Sequence, residues 1–151
     1  MANIVIMGAG IGGMPAAYEM RELLPKEHTV TVVSALDFFQ FVPSNPWLAV
    51  GWRKREEIVL KIWPLLERKG IQFIAKPVTT LDAAGNKLVL AGGTPDEQVL
   101  PYDYLVITTG PKLSFDEVPG AGPHGGHTHS VCAVDHAEAF CTALSEDFGH
   151  R

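Results

Sequence analysis

Apolar residues fall in short unbroken runs. Ile4-Val5-Ile6-Met7 is the first, and Thr29-Val30-Thr31-Val32-Val33 is the second, β-branched throughout. Runs without polar alternation predict strands buried on both faces, as in a parallel sheet. Met14 to Leu24 between them reads as a crossover helix. Pro15 is tolerated in its first turn, where an N–H has no intrahelical partner, and Pro25 ends it. Strand, helix and strand over about 30 residues make a right-handed βαβ unit.

Further along, Pro64 and Gly70 frame a short helix, and Ile71-Gln72-Phe73-Ile74-Ala75 predicts a third strand. Three short strands follow, Pro77 to Asp82, Lys87 to Leu90 and Gln98 to Pro101. Ala84-Gly85-Asn86 and Gly92-Gly93-Thr94-Pro95-Asp96 supply the turns between them. Tyr104 to Thr108 returns as a parallel strand. The pattern predicts an α/β fold: a Rossmann-like half-domain whose parallel sheet carries an inserted antiparallel β-meander, with residues 1–151 as one domain. A last helix begins near Asp135, where Asp135 and Glu138 have capping-box spacing. Ala137, Cys141, Leu144 and Phe148 share one stripe of it, a core role for Cys141.

Gly8-Ala9-Gly10-Ile11-Gly12-Gly13 joins the first strand to the first helix and gives Gly-x-Gly-x-x-Gly at Gly8, Gly10 and Gly13. In a dinucleotide-binding turn the first glycine makes the bend and the second admits a pyrophosphate to bare backbone. The third lets helix and strand pack closely, and the helix N-terminus favours the phosphate charge. Such a fold usually carries an acidic residue on the ribose at the end of the second strand. Here Ser34 holds that place, with Asp37 just beyond; a hydroxyl still bonds a ribose, less strongly than a carboxylate. Thr109 and Gly110 end the last strand on the same ligand edge. Phe38 to Trp52, with five aromatics and two prolines, reads as a loop too apolar for open solvent. It is either packed on the core or a wall for a flat ligand.

A net charge of −5 without a basic run excludes a nucleic-acid partner. No signal peptide or bilayer-length apolar run is evident, and Cys132 and Cys141 do not make a disulfide framework, so an intracellular domain is expected. His124, His127 and His129 have a spacing that tempts a metal reading, but they stand in a glycine-rich loop. They read as solvated loop residues, with no metal expected.

Two signatures together, Gly8 to Gly13 and Tyr102-Asp103-Tyr104-Leu105-Val106-Ile107-Thr108-Thr109-Gly110, resemble the flavoproteins with two dinucleotide-binding domains. Phe39-Gln40-Phe41-Val42-Pro43-Ser44-Asn45-Pro46-Trp47 with Val50-Gly51-Trp52 resembles, more narrowly, the sulfide:quinone oxidoreductases. So do Gly110-Pro111-Lys112-Leu113 and Ser130-Val131-Cys132-Ala133-Val134-Asp135-His136-Ala137. That resemblance implies FAD as cofactor, sulfide as electron donor and a membrane quinone as acceptor. It implies that Gly8, Ala9, Gly10, Ile11, Gly12 and Gly13 take the pyrophosphate and Ser34 and Ala35 the ribose. Val42 would lie at the flavin side, Val78 at the adenine, and Thr109 with Gly110 at the cofactor edge.

The resemblance makes Cys132 a catalytic residue acting in sulfur transfer. Thiolates exchange sulfur readily; read alone, without the resemblance, Cys132 is more often a structural cysteine. Against the family pattern the fold is incomplete. The expectation is an amino-terminal portion, inactive alone and prone to self-association through exposed apolar surface. Membrane attachment of the full-length enzyme, as a peripheral protein, would come through a later segment. Two other readings stand beside this one: an NADH-oxidising relative, which gives no reason for Cys132 or the Phe39–Trp52 loop, and a non-catalytic remnant.

Overall fold

In the computed structural model, which describes residues 1–148 with side chains through Glu146, each apolar run becomes a strand. The elements are β1 (Asn3–Met7), α1 (Gly13–Leu23), β2 (Thr29–Ser34), β3 (Phe38–Gln40), α2 (Asn45–Ala49), α3 (Arg55–Ile58) and β4 (Val59–Lys61). Then follow α4 (Trp63–Glu67), β5 (Gln72–Ala75), β6 (Val78–Asp82), β7 (Lys87–Leu90), β8 (Gln98–Pro101), β9 (Tyr104–Ile107) and α5 (Val134–Phe148). The Phe148 side chain, the last member of the expected α5 stripe, lies outside the described residues, as do residues 149–151 of the expected domain. The chain forms two compact units. One is Met1–Phe39 with Lys61–Gly110; the other is Gln40–Leu60 with the residues from Pro111 onward. β3 and β4 pair as a two-stranded ribbon and carry the chain from the first to the second and back.

The first unit is the predicted α/β layer structure. Its sheet has the order β5-β2-β1-β9 with every pair parallel. Successive residues of a strand point to opposite faces, and both faces are covered. Ile6, Val30 and Val32 lie under Met14 and Ala17 of α1 and under Ile62 and Leu66 around α4. Val5 and Val33 point the other way, into Leu88 and Leu90 of β7 and Tyr102. Double coverage is why β1 and β2 carry no alternation; each fully buried side chain of this size contributes roughly 1.5–3 kcal/mol.

The second layer is the meander β6-β7-β8, antiparallel as predicted. Its first turn is tied by Asp82, which accepts the Gly85 N–H at 2.8 Å and faces Lys87 Nζ at 3.4 Å. The Gly85 amide first, and Lys87 second, hold the Asp82 carboxyl below the usual carboxylate range. A depressed folded-state value stabilises above the unfolded pKa and ceases to do so as pH falls through it. The β6–β7 turn is therefore expected to loosen as pH drops from about 4 downward. Amide exchange at Gly85, taken relative to its intrinsic rate at each pH, checks this: protection should fall in acid for the native chain and show no such acid dependence in Asp82→Asn.

In the second unit α2 packs along α5, with Leu48, Ala49, Val134 and Ala137 buried. The structure corrects the sequence reading in three places here. Part of the expected Phe38–Trp52 loop is regular: β3, a 3₁₀ turn at Val42–Ser44, and α2. Pro46 is in the first turn of α2, where no N–H is needed. The Trp47 carbonyl closes the segment by accepting the N–H groups of Trp52 at 2.8 Å and Arg53 at 3.2 Å. Second, α3 and β4 carry no apolar periodicity and were not expected; α3 is started by Glu57, which accepts the Lys54 N–H at 2.6 Å. Third, α5 begins at Val134 rather than at Asp135, so the capping box does not form. The Val134 N–H donates to Gln40 Oε1 at 2.9 Å, while Asp135 and Glu138 both turn to Arg55. A cap supplied 94 residues away leaves no local signature.

Candidate functional site

The bend after β1 is built by three glycines with three different reasons. Gly8 has φ +111°, and a Cβ on it would stand 2.4 Å from the Thr108 carbonyl oxygen. Its N–H donates to the Val33 carbonyl at 2.8 Å, fixing the bend to the end of β2. A Cβ on Gly13 would lie 1.9 Å from the Gly8 oxygen, so the start of α1 sits directly against the bend. Packing therefore dictates both residues. Gly10 is different: it is exposed and a Cβ there would meet nothing within 4 Å. The fold itself has no need of glycine at that position.

α1 starts at Gly13 without a side-chain cap. The first N–H groups of a helix have no partner of their own, and its N-terminus carries partial positive charge. Open space at Gly10 and an uncapped, electropositive helix start together fit a diphosphate. Ala9 is buried in the core beneath, while Ile11 is half exposed beside the opening.

The remaining candidates of the first unit line the same sheet edge. Ser34 and Ala35 end β2, Thr109 and Gly110 follow β9, and Val78 stands just beyond β5. With the bend after β1, these are the carboxyl ends of all four parallel strands. Ligands bind outside that edge in open α/β sheets. Ser34 Oγ accepts the Leu36 N–H at 3.2 Å, which leaves its own hydroxyl proton free to donate to a ribose oxygen. Thr109 and Gly110 are exposed, the latter with φ +73°. Val78 is half-buried against the cluster that contains Val33. The sequence reading passed over Thr108, whose Oγ1 lies 3.0 Å from the Gly8 carbonyl oxygen and 3.1 Å from that of Met7. Its signal was positional only, one residue before Thr109 on the strand next to β1.

Val42 and Cys132 belong to the second unit. Val42, itself exposed, opens the 3₁₀ turn Val42–Ser44. Cys132 is an exposed thiol, two residues before α5, with its own N–H donating to the buried Ser130 Oγ at 3.2 Å. Cys141 is half-buried and packs near Gly51. Arg53 lies over the Trp47 ring at 4.4 Å and donates to Ser44 at 2.7 Å. Beside them Asn45 is fully buried, and neither atom of its side-chain amide has a partner within the protein. A buried unpaired amide costs about 1–3 kcal/mol per group.

His124, His127 and His129 are exposed residues of the loop before α5. His124 Nε2 lies 3.1 Å from His136 Nε2, and His129 stacks on Phe140 at 4.8 Å. The His127 backbone N–H donates to the Gly120 carbonyl at 2.7 Å. Their partners differ, and no group of three or more His, Cys, Asp or Glu among the described residues could hold a metal ion. Nor, among the described residues, is any helix long and apolar enough to cross a membrane.

Known proteins agree with this geometry. A sulfide-quinone reductase of Aquifex aeolicus is 38% identical over 135 residues, 89% of this chain and 29% of the relative. External NADH-ubiquinone oxidoreductase 2 of Saccharomyces cerevisiae is 30% identical over 123 residues, 78% of this chain and 22% of its own length. Among solved structures, the sulfide:quinone oxidoreductase of Aquifex aeolicus superposes with a TM-score of 0.86 at 36% identity, covering 97% of this chain and 32% of that one. NDH2 of Plasmodium falciparum shares the fold, with a TM-score of 0.78 at 22% identity, over 96% of this chain and 29% of that one. The chain thus spans about three tenths of the length of the sulfide-quinone reductase that it matches. The family model described as pyridine nucleotide-disulphide oxidoreductase matches residues 2–146. With its bend, its parallel sheet edge and this match, the chain belongs to the pyridine nucleotide-disulphide oxidoreductase family, a family of FAD-binding flavoproteins.

Proposed function

We propose that the chain is the FAD-binding amino-terminal portion of a sulfide:quinone oxidoreductase. In that reaction sulfide gives up two electrons to become sulfane sulfur, and quinone takes two electrons and two protons. FAD, when bound, supplies the two-electron relay between them. The observation that carries the cofactor part is Gly10, a glycine the fold does not need, at an uncapped helix start. Gly8 and Gly13 shape the bend, and the amides around Gly10, Ile11 and Gly12 receive the diphosphate. Ser34 and Ala35 take the ribose, Val78 the adenine, and Thr109 with Gly110 the cofactor edge; Val42 serves the flavin side.

Two features favour sulfide over NADH as donor. The identity to the sulfide-quinone reductase is 38% against 30% for the yeast NADH-ubiquinone enzyme, and Cys132 presents a free thiol. Cys132 takes and releases sulfane sulfur rather than attacking the flavin. Electron transfer to a membrane quinone belongs to the full-length protein, as a peripheral membrane enzyme. This chain alone turns over no sulfide, and it self-associates through exposed apolar side chains such as Trp52 and Tyr104.

The test uses the intact chain and polysulfide. A thiolate displaces a shorter polysulfide anion and keeps one sulfur, forming a persulfide that cyanide removes. Cyanide-labile sulfur is expected on the native chain and on Cys141→Ser, and lost in Cys132→Ser. Equal labelling of Cys132→Ser would contradict the sulfur-handling role. Quinone reduction by the purified chain with sulfide would contradict its inactivity alone.

A further inference from the structure

We propose that Thr108 is a positioning residue for the cofactor, its hydroxyl holding the Gly8–Gly13 bend in the shape that admits a diphosphate. The proposal rests on the FAD reading above and deepens it. Gly8 is anchored on its amide side by the Val33 carbonyl at 2.8 Å, and its carbonyl lies 3.0 Å from Thr108 Oγ1. Thr108 is itself fixed to the neighbouring strand, because its N–H donates to the Met7 carbonyl at 2.8 Å. Its single hydroxyl proton is shared between the Met7 and Gly8 oxygens, a three-centre bond across the joint between strand and bend.

Both branches of the side chain are used. A Cβ on Gly13 would stand 2.7 Å from Thr108 Oγ1, and one on Gly12 would touch Thr108 Cγ2 at 3.7 Å. Thr108 thus lies under the glycines whose amides open α1, and its hydroxyl sets the direction of the Gly8 peptide. Gly8 at φ +111° is in a region where glycine has many neighbouring conformations to visit. A donor on its carbonyl selects one of them. Valine has the same branched shape without the donor; serine keeps the donor without the methyl.

The experiment compares Thr108→Val and Thr108→Ser in the intact chain. Two readouts are used: amide hydrogen exchange of residues 9–13 without flavin, and FAD affinity from the change in flavin fluorescence. Loss of one hydrogen bond of about 1–1.5 kcal/mol is expected to weaken FAD about tenfold in Thr108→Val. Exchange at residues 9–13 should quicken by a similar factor, while amides of β2 and β5 keep the native rates. Thr108→Ser should return both readouts close to native. Native-like exchange and affinity in Thr108→Val would overturn the proposal, as would a Thr108→Ser variant no better than Thr108→Val. A native chain that binds no FAD would sink the cofactor reading instead, and the exchange comparison would still judge Thr108.

Discussion

Gly13→Ala is expected to destabilise the first unit strongly, whether or not a cofactor is bound. The added methyl would lie 1.9 Å from the Gly8 carbonyl oxygen and 2.7 Å from Thr108 Oγ1. Neither neighbour is the free end of a flexible side chain. The Gly8 oxygen is backbone in a bend already tied to β2, and Thr108 is tied to β1. To make room, α1 must move off the sheet, taking Met14 and Ala17 out of contact with Ile6, Val30 and Val32. Overpacking a filled site costs about 1–3 kcal/mol, and backbone displacement adds to it. At roughly 2–4 °C per kcal/mol for a chain of this size, overpacking alone should lower the melting temperature by about 2–12 °C, and the displacement of α1 adds to that. Circular dichroism melts of the flavin-free chain check this; a native-like melting point would mean that α1 does not sit against the bend as described.

Gly10→Val is expected to do the reverse, leaving the fold intact and abolishing the nucleotide site. Nothing lies within 4 Å of the position a Cβ would take, and the Gly10 backbone is outside the left-handed region that favours glycine. The melting temperature should therefore stay within a degree or two of native, like most surface changes of about 0.5 kcal/mol or less. An isopropyl group there fills the approach to the amides of the bend. Hydrogen bonds to a charged group are worth about 1.5–3 kcal/mol each. Losing even two of them weakens FAD by a hundredfold or more, on the scale of about 1.4 kcal/mol per tenfold. The contrast is the informative part. Two glycines three residues apart should separate stability from binding, one variant losing stability and the other only the ligand.

Most of the fold was legible because it rests on local signals. The unbroken apolar runs of β1 and β2 reflect a sheet covered on both faces, and Gly-x-Gly-x-x-Gly requires no partner to be recognised. The meander showed through its turn residues. What stayed hidden depends on distant atoms or weak patterns. The cap of α5 comes from Gln40, and the capping-box carboxylates were diverted to Arg55. α2 forms within an aromatic, proline-broken stretch whose composition suggested irregular chain. The site divided in the same way. The glycines announced themselves, and their places in the motif already separated Gly10, left open for a phosphate, from Gly13, fixed by packing. Thr108 and Asn45 acquire meaning only from neighbours the sequence does not reveal, a carbonyl on the adjoining strand and the lack of any partner in a sealed interior. Ser34, conversely, departs from the acidic-residue rule, and its hydroxyl oxygen accepts the Leu36 N–H.

The central claim, that main-chain amides at the head of α1 receive the cofactor's diphosphate, is tested most directly by amide NMR of the 15N-labelled chain titrated with FAD. The amides of Gly10, Ile11 and Gly12 should shift furthest and saturate with the flavin signal, while those of β8 at the far side of the meander hold their positions. Saturable FAD binding that leaves these three amides unmoved would contradict the account.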